Sequence, residues 1–270
     1  MDLEDVKSRG LVLLGCGKMG SALLRGWIDA GLPASVVGVL DPSPPDWLES
    51  AGVTLNAEPQ SAPAVVLLAV KPQMMAEALP RVARWKGGKT LYLSVAAGTP
   101  ISFYESVLGA ETPVVRAMPN TPAAVSRGIT AIVGNAAAGP AHLALAEALL
   151  SAVGEVVRLD NEGQIDAVTG VSGSGPAYVF HLVEALALAG EAQGLPPELA
   201  MKLARATIVG AGELLRQSDK SAEQLRIDVT SPKGTTAEAL EVLMSEEDGF
   251  PVLLCRAVGA AADRSRELSR

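Results

Sequence analysis

Residues 11–31 read LVLLGCGKMGSALLRGWIDAG, and this stretch decides the fold of the first half of the chain. It begins with an apolar run typical of a buried strand and ends with the apolar spacing of a helix. The turn between them is G-x-G-x-x-G, formed by Gly15, Gly17 and Gly20. In this setting the first glycine permits a tight turn, the second lets a ligand approach the backbone, and the third lets the helix pack on the strand.

A helix that starts at such a turn presents free backbone N–H groups and its positive dipole end, which together bind phosphate. The turn therefore predicts a dinucleotide whose pyrophosphate lies at the helix N-terminus. Asp41 ends the second apolar run, 21 residues after Gly20, where an acid binds the ribose hydroxyls of the adenosine half. This position favours NADH, and no neighbouring arginine indicates a 2′-phosphate pocket. Alternatively, Asp41 followed by Pro42 is only turn chemistry.

Outward from this unit, short Val- and Leu-rich runs alternate with helical patterns as far as about residue 160, which is typical of βαβ units and a parallel sheet. Run 64–70 is apolar throughout, as expected when helices cover both sheet faces. We predict strands at 11–14, 36–40, 64–70, 90–95, 113–118, 129–133 and 155–159, and helices at 18–31, 44–51, 72–84, 100–109 and 139–153. The expected fold is a Rossmann-type doubly wound α/β domain of residues 1–160.

Residues 161–270 form a second, all-helical domain in this prediction. The expected helices are 163–172, 175–193, 196–217, 221–229, 235–246 and 249–268. Segment 176–190, PAYVFHLVEALALAG, is apolar on nearly all sides, and about 110 residues of helix offer little interior to bury it. A subunit interface would cover it, so we expect an oligomer; the alternative is an ordinary central helix of a bundle.

Composition excludes several classes of protein. The chain has 270 residues, is 49% hydrophobic and carries a net charge of −8, which excludes disorder and argues against nucleic acid or an anionic membrane as partner. Cys16 and Cys255 have neither a disulfide-framework nor a metal-site spacing. The chain contains neither a signal-peptide core nor a run of the ~20 apolar residues that a membrane span needs. We expect a soluble, cytoplasmic protein without a metal, acting on a small molecule.

Ligands of open parallel sheets lie beyond the carboxyl ends of the strands. The segments that follow the third, fourth and fifth predicted central strands are 69–72 (AVKP), 96–98 (AAG) and 118–122 (MPNTP). They are candidates for the nicotinamide rim. Lys71 either faces the ligand or is a solvated lysine that opens the next helix.

Two stretches of the helical half are rich in small and hydroxyl residues, 166–178 (DAVTGVSGSGPAY) and 231–238 (SPKGTTAE). Thr235 and Glu238 fit a capping box before a helix. The same helix start can hold a carboxylate on its N–H groups, while threonine hydroxyls bond a neighbouring nitrogen. No Ser/His/Asp or Cys/His arrangement indicates covalent hydrolysis.

In order and spacing, GCGKMG, AVKP, VRAMPNTP, DAVTGVSGSGPAY and SPKGTT closely resemble the motifs of the Δ1-pyrroline-5-carboxylate reductases. The resemblance covers nearly the whole chain. It implies reduction of the cyclic imine L-1-pyrroline-5-carboxylate to L-proline by NADPH or NADH, the last step of proline biosynthesis. It also implies dimers that intertwine their helical domains and often assemble into decamers.

The resemblance also implies site residues. Beside Gly20 of the turn, the implied cofactor contacts are Leu14, Gly15, Cys16, Gly17, Lys18, Met19, Asp41, Asn56, Ala69, Val70, Lys71, Pro72, Ala96 and Ala97. The implied substrate residues are Ser231, Gly234, Thr235 and Thr236, of which the two threonines are the catalytic candidates. Thr236 would hydrogen-bond the ring nitrogen and the adjacent backbone would hold the carboxylate. No acid is evident, so the substrate enters as the iminium or takes its proton through Thr236 and water.

The chain departs from the family pattern at two positions. Lys233 replaces the first glycine of the usual S-P-G-G-T-T loop, and Asp228 stands where many relatives carry Asn near the cofactor. Two alternatives stay open. Another Rossmann reductase, of the imine or 3-hydroxyacid type, typically needs a catalytic Lys or Asp in its helical domain, and Lys202 lacks a surrounding motif. A non-catalytic NAD(P)-binding protein would leave loop 231–236 without a purpose.

Overall fold

The computed structural model describes residues 3–57, 59 and 61–269. The chain forms two compact units: the first holds the chain up to Gly173 and resumes at Ala261, and the second is Ser174–Ala260. This division by packing falls thirteen residues after the division at residue 160 that the sequence predicts. Ile165 is buried together with Ile101 and Val133 of the first unit, so residues 161–173 pack with the sheet domain.

Within the described residues, the first unit contains an eight-stranded sheet. Its strands are Leu11–Leu14 (β1), Val37–Leu40 (β2), Thr54–Leu55 (β3), Val65–Leu68 (β4), Leu91–Ser94 (β5), Val114–Met118 (β6), Gly128–Gly134 (β7) and Gly154–Arg158 (β8). The strand order is β3-β2-β1-β4-β5-β6-β7-β8. The first six strands have the Rossmann order, whose direction reverses between β1 and β4, the place where such sheets bind dinucleotides. The predicted fold class is confirmed.

One neighbouring pair departs from the expected parallel sheet. β6 pairs with β7 antiparallel, with Val115 opposite Gly134, whereas the other neighbours pair parallel. A parallel return requires a crossover of a dozen or more residues. Only residues 119–127 separate β6 from β7, so the chain returns in the opposite direction.

Helices cover both faces of this sheet. They are Glu4–Arg9 (α1), Lys18–Asp29 (α2), Pro72–Ala78 (α3), Ile101–Leu108 (α4), Pro140–Leu150 (α5) and Ile165–Val168 (α6), the last followed by a π turn, Thr169–Gly173. Neither α1 nor β3 was predicted. Predicted helix 44–51 is a 3₁₀ turn, Asp46–Ser50, and helix 72–84 ends early because Pro80 cannot continue the hydrogen-bond ladder.

The core of the first unit has two layers, one on each side of the sheet. Alternate residues of β1 point to opposite faces, so Leu11 and Leu13 join one buried cluster while Val12 and Leu14 join the other. Trp27 of α2 anchors the first layer, because its buried indole N–H donates to the Leu149 carbonyl at 2.8 Å. This double cover holds the carboxyl edge of the strands in a fixed shape.

The second unit is helical, as predicted. Its helices are Gly175–Ala192 (α7), Pro197–Gln217 (α8), Ala222–Asp228 (α9), Thr235–Leu243 (α10) and Phe250–Leu268 (α11), and the last turns of α11 belong to the first unit. In this unit only small side chains form a buried cluster among the described residues, namely Ala187, Ala200 and Ala204. None of the helices in the described part of the chain is long and apolar enough to cross a membrane.

Candidate functional site

The glycine turn after β1 is a tightly built cradle. Gly15 has φ +89°, and a Cβ there would lie 2.9 Å from the Val70 backbone nitrogen. A Cβ at Gly20 would lie 2.6 Å from the Gly15 carbonyl oxygen, so α2 packs directly on the turn. At Gly17 a Cβ would meet no described atom within 4 Å. The turn is therefore tightly packed against the protein at Gly15 and Gly20 and open at Gly17. A pyrophosphate that approaches the backbone requires such an opening.

The N-terminus of α2 is available to a ligand. Gly17 is its N-cap, and within the described chain no side chain caps the helix. The first N–H groups of a helix have no partner inside the helix, so those that follow Gly17 can receive phosphate oxygens. Burial raises the pKa of the Cys16 thiol, which keeps the turn free of a thiolate that would repel the phosphates. These residues fit a dinucleotide.

Asp41 is bonded into this turn by both carboxylate oxygens. The Cys16 N–H donates to Oδ2 at 2.6 Å and the Ser43 N–H donates to Oδ1 at 2.8 Å. Asn56, at φ +50°, holds the Asp41 backbone from the other side: its Nδ2 donates to the Asp41 carbonyl at 2.9 Å and its Oδ1 accepts from the Asp41 N–H at 3.0 Å. The carboxylate therefore has a fixed position at the end of β2, beside the glycine turn.

Arg25 is a nearby cation that the sequence interpretation missed. Its guanidinium lies over the Trp47 ring, 4.0 Å from the ring centroid, and its charge acts on Cys16, as does that of Asp41. Arg25 and Trp47 lie 22 residues apart in two separate predicted helices, so the sequence gives no sign of their contact. The charges of the Asp41 carboxylate and the Arg25 guanidinium thus both act on Cys16, at the end of the cradle where the adenosine half of the dinucleotide is expected.

The structure brings the predicted cofactor residues of the first unit to one edge of the sheet. Leu14 ends β1 and residues 15–20 follow it, Asp41 follows β2, Asn56 follows β3, residues 69–72 follow β4, and Ala96 and Ala97 follow β5. All five strands run parallel, so these segments lie at the shared carboxyl edge. Lys71 is exposed and is the N-cap of α3, which leaves both of its predicted interpretations open.

The predicted substrate loop lies in the second unit, before α10. The Gly234 N–H donates to the Ser231 carbonyl at 3.0 Å, and a Cβ at Gly234 would overlap Ser231 Oγ. Gly234 accepts from the N–H groups of Ala237 and Glu238. Thr236 is half-buried and Thr235 is exposed. The loop thus places the backbone N–H groups and hydroxyls of the two threonines at a helix N-terminus.

The expected capping box is wrong. Gly234, not Thr235, is the N-cap of α10, and among the described side chains none caps this helix. Since a glycine N-cap supplies no side-chain acceptor, the first N–H groups stay available to a bound carboxylate. Asp228, at the end of α9, is held by Lys220, whose Nζ lies 2.7 Å from Oδ2. The Lys220 and Gln224 hydrogen bonds hold the pKa of Asp228 below its usual range.

Lys233 occupies a left-handed conformation, with φ +58°, where glycine is relaxed and a side chain is not. We expect Lys233→Gly to raise the free energy of unfolding by about 1 kcal/mol, as measured by urea titration. Lys233→Ala is the control because it removes the charge and keeps the Cβ. An equal rise in both variants would contradict the explanation by backbone strain.

Comparisons with known proteins agree with this geometry. Residues 162–268 match the profile described as "Pyrroline-5-carboxylate reductase dimerisation", and residues 10–98 match "NADP oxidoreductase coenzyme F420-dependent". The pyrroline-5-carboxylate reductase of Pseudomonas aeruginosa is 40% identical over 265 residues, 96% of each chain. The structure of the reductase from Coxiella burnetii superimposes with a TM-score of 0.89 at 34% identity, covering 97% of this chain and 99% of that one. The Plasmodium falciparum enzyme, solved with NADP bound, gives 0.81 at 28% identity, covering 98% and 99%.

Proposed function

Because the chain belongs to the pyrroline-5-carboxylate reductase family, we propose that it reduces L-1-pyrroline-5-carboxylate to L-proline with NADPH or NADH. The open side of the glycine turn at Gly17 carries this proposal on the structural side, since it provides room for a dinucleotide where the sheet order reverses. In this proposal the enzyme completes proline biosynthesis.

The first unit would hold the dinucleotide. The N–H groups that follow Gly17 bind the pyrophosphate, and Asp41 accepts from the adenosine ribose. Ala69, Val70 and the Ala96–Ala97 pair form the rim that orients the nicotinamide. When bound, the reduced nicotinamide supplies the hydride that the imine carbon C5 accepts.

The second unit would hold the imine. The N–H groups of Thr235 and Thr236, at the start of α10, bind the substrate carboxylate. The Thr236 hydroxyl donates to the ring nitrogen, which makes C5 electrophilic, and the substrate arrives as the iminium or takes its proton through Thr236 and water. Lys233 adds a positive charge beside this anionic substrate. Most of the rate acceleration comes from positioning.

A direct assay tests the function: NADH and NADPH absorbance is followed with pyrroline-5-carboxylate, with an unrelated cyclic imine and with a 3-oxoacid. We expect consumption of the coenzyme with the first substrate and formation of proline. Faster reduction of another imine, or of the oxoacid, would favour the other Rossmann reductases. Coenzyme binding without turnover of any substrate would favour a non-catalytic binding protein.

We expect NADH to be preferred, because a 2′-phosphate would lie beside the fixed Asp41 carboxylate. Asp41→Ser should therefore lower the ratio of kcat/KM for NADH to that for NADPH about tenfold, since like charges about 4 Å apart near a protein surface repel by about 1–4 kcal/mol. Steady-state kinetics with both coenzymes measure this ratio. A ratio that favours NADPH before the substitution and does not respond to it would contradict the expectation.

The variant Arg25→Ala tests whether Arg25 or Asp41 determines the preference between NADPH and NADH. If Arg25 binds a 2′-phosphate, the variant loses NADPH activity and keeps NADH activity, and the preference for NADH is wrong. If Asp41 dominates, both coenzymes respond equally to Arg25→Ala.

A homo-oligomer follows from the matched dimerisation profile, and we propose a dimer that buries the apolar surface of the second unit, with five dimers forming a decamer. Most of the exposed large apolar side chains of the described chain lie in this unit, among them Val209, Val242 and Leu188, which expose 72%, 71% and 65% of their surface in the single chain. A large exposed apolar surface usually marks an interface, whereas a single exposed apolar residue does not. Val209→Glu should shift the mass measured by light scattering towards the single chain. Val125→Glu, equally exposed at 70% in the first unit, is the control and should not.

We also propose a cytoplasmic location. Both cysteines are free thiols, Cys16 buried and Cys255 exposed, and this supports a reducing compartment because exposed thiols oxidise readily elsewhere. Fractionation of the native host with an antibody to the protein tests the location.

A further inference from the structure

The loop between β5 and α4, residues 95–100, carries Ala96 and Ala97 and is tied down by a buried hydroxyl pair at its start. Ser94 Oγ accepts from the Ala96 N–H at 3.2 Å and shares a 2.6 Å hydrogen bond with the Tyr104 hydroxyl. Both side chains are 0% exposed. The backbone of the loop therefore takes its position from a hydroxyl that α4 holds in place.

The end of the loop is tied by an ion pair between a buried arginine and a partly exposed glutamate. Glu162 Oε1 accepts from the Ile101 N–H at 2.8 Å and from Arg116 Nη1 at 2.6 Å. Arg116, on β6, is 4% exposed. The Ile101 N–H is the first of α4, and it thus bonds to a carboxylate located 61 residues further along the chain.

The middle of the loop is braced from outside. Gly98 has φ +73°, and a Cβ there would lie 3.3 Å from Leu268 Cβ, in the last turn of α11. The same turn is fastened to the first unit by Ser265, whose hydroxyl donates to Asp166 Oδ1 at 2.6 Å. The loop is therefore fixed at its start, middle and end by groups from β5, α4, β6, α11 and the turn that begins at Glu162.

Stability alone does not explain this arrangement. An ion pair that takes an arginine out of water is often no more stabilising than apolar side chains of the same volume, but it demands a defined geometry. Here both polar links end on backbone N–H groups: the N–H of Ala96 lies in the loop, and the N–H of Ile101 directly follows it. In the proposed function this loop orients the nicotinamide. The links serve to hold two alanines, which lack side-chain groups of their own to fix a ligand.

We propose that Arg116, Glu162 and Tyr104 are positioning residues that fix loop 95–100 so that the nicotinamide lies in its reactive place. This proposal rests on the proposed function. In this proposal the three side chains contribute to binding the nicotinamide half of the coenzyme and not to binding the adenosine half.

The test compares the affinities for NADH and for ADP-ribose, which lacks the nicotinamide, by calorimetry on the full-length protein. In Tyr104→Phe and Glu162→Gln we expect the Kd for NADH to rise about tenfold, the equivalent of one lost hydrogen bond to a charged or buried partner. The Kd for ADP-ribose should change less than twofold, and kcat should fall more than KM rises. Glu147→Gln, which breaks the Arg158–Glu147 pair on the surface of the same unit, is the charge-matched control and should change neither Kd.

Equal losses of NADH and ADP-ribose affinity would show a general structural role and overturn the proposal, and so would unchanged affinities for both. If Glu162→Gln does not fold, Tyr104→Phe decides alone, since it removes one oxygen and no charge. A wild-type chain that binds NADH without reducing the imine would overturn the proposed function and leave this test valid. A wild-type chain that binds neither coenzyme would overturn both.

Discussion

Gly17→Ala is expected to weaken NADH binding about 10- to 100-fold, because the added methyl group would occupy the place where a pyrophosphate meets the backbone, and such overpacking costs about 1–3 kcal/mol. The melting temperature of the ligand-free protein should stay the same, since a Cβ at this position meets no described atom within 4 Å. Calorimetric titration with NADH and a thermal melt measure the two quantities.

Gly20→Ala is the matched control, because Gly20 lies three residues further along the same motif and has the opposite surroundings. Its Cβ would lie 2.6 Å from the Gly15 carbonyl oxygen, so this variant should lose thermal stability and coenzyme affinity together. If Gly17→Ala bound NADH as well as the unchanged chain, the pyrophosphate would not lie at this turn.

Thr236→Ala is expected to lower kcat/KM for pyrroline-5-carboxylate about 100-fold, the usual result of removing one donor aimed at a reacting group. The Kd for NADH should not change, because the dinucleotide contacts lie elsewhere in the proposal. Steady-state kinetics with a separate coenzyme titration measure both effects.

Thr236→Ser keeps the hydroxyl and should retain most of the activity, so it separates the hydrogen bond from the shape of the loop. Full activity in Thr236→Ala would show that the ring nitrogen is protonated without this residue. Loss of activity in Thr236→Ser as large as in Thr236→Ala would indicate that the methyl group, which helps to fill the half-buried site, matters more than the hydroxyl.

The sequence was sufficient where structure depends on neighbouring residues. The glycine turn, the buried strands and the long helices each have a local signature, and the predicted segments around β1, β4 and α8 agree with the structure to within a few residues. Prediction from the sequence failed where contacts between distant parts of the chain determine the structure. β3 has two residues and exists because β2 offers it an edge, and the direction of β7 depends on the short return from β6.

The candidate site shows the same division. The distance of Asp41 from the glycine turn is visible in the sequence, but its bonds to Cys16 and Ser43 and the support from Asn56 depend on the tertiary fold. The Arg116–Glu162 pair joins residues 46 apart that share no motif. The absence of a side-chain cap on α10 was not predictable either. The residues Thr235 to Glu238 have the sequence of a capping box, but Gly234 precedes them and takes the N-cap position.

The chain crosses from the first unit to the second after Gly173 and returns at Ala261, so the dinucleotide unit is discontinuous in sequence. A gene fragment that ends at residue 173 would produce the sheet without the turn that carries Ser265 and Leu268, leaving Asp166 and Gly98 without these contacts. Separate expression of this unit therefore requires that the segment from residue 261 onward be supplied together with the chain up to residue 173. A simple truncation would remove the brace on the very loop that is proposed to orient the nicotinamide.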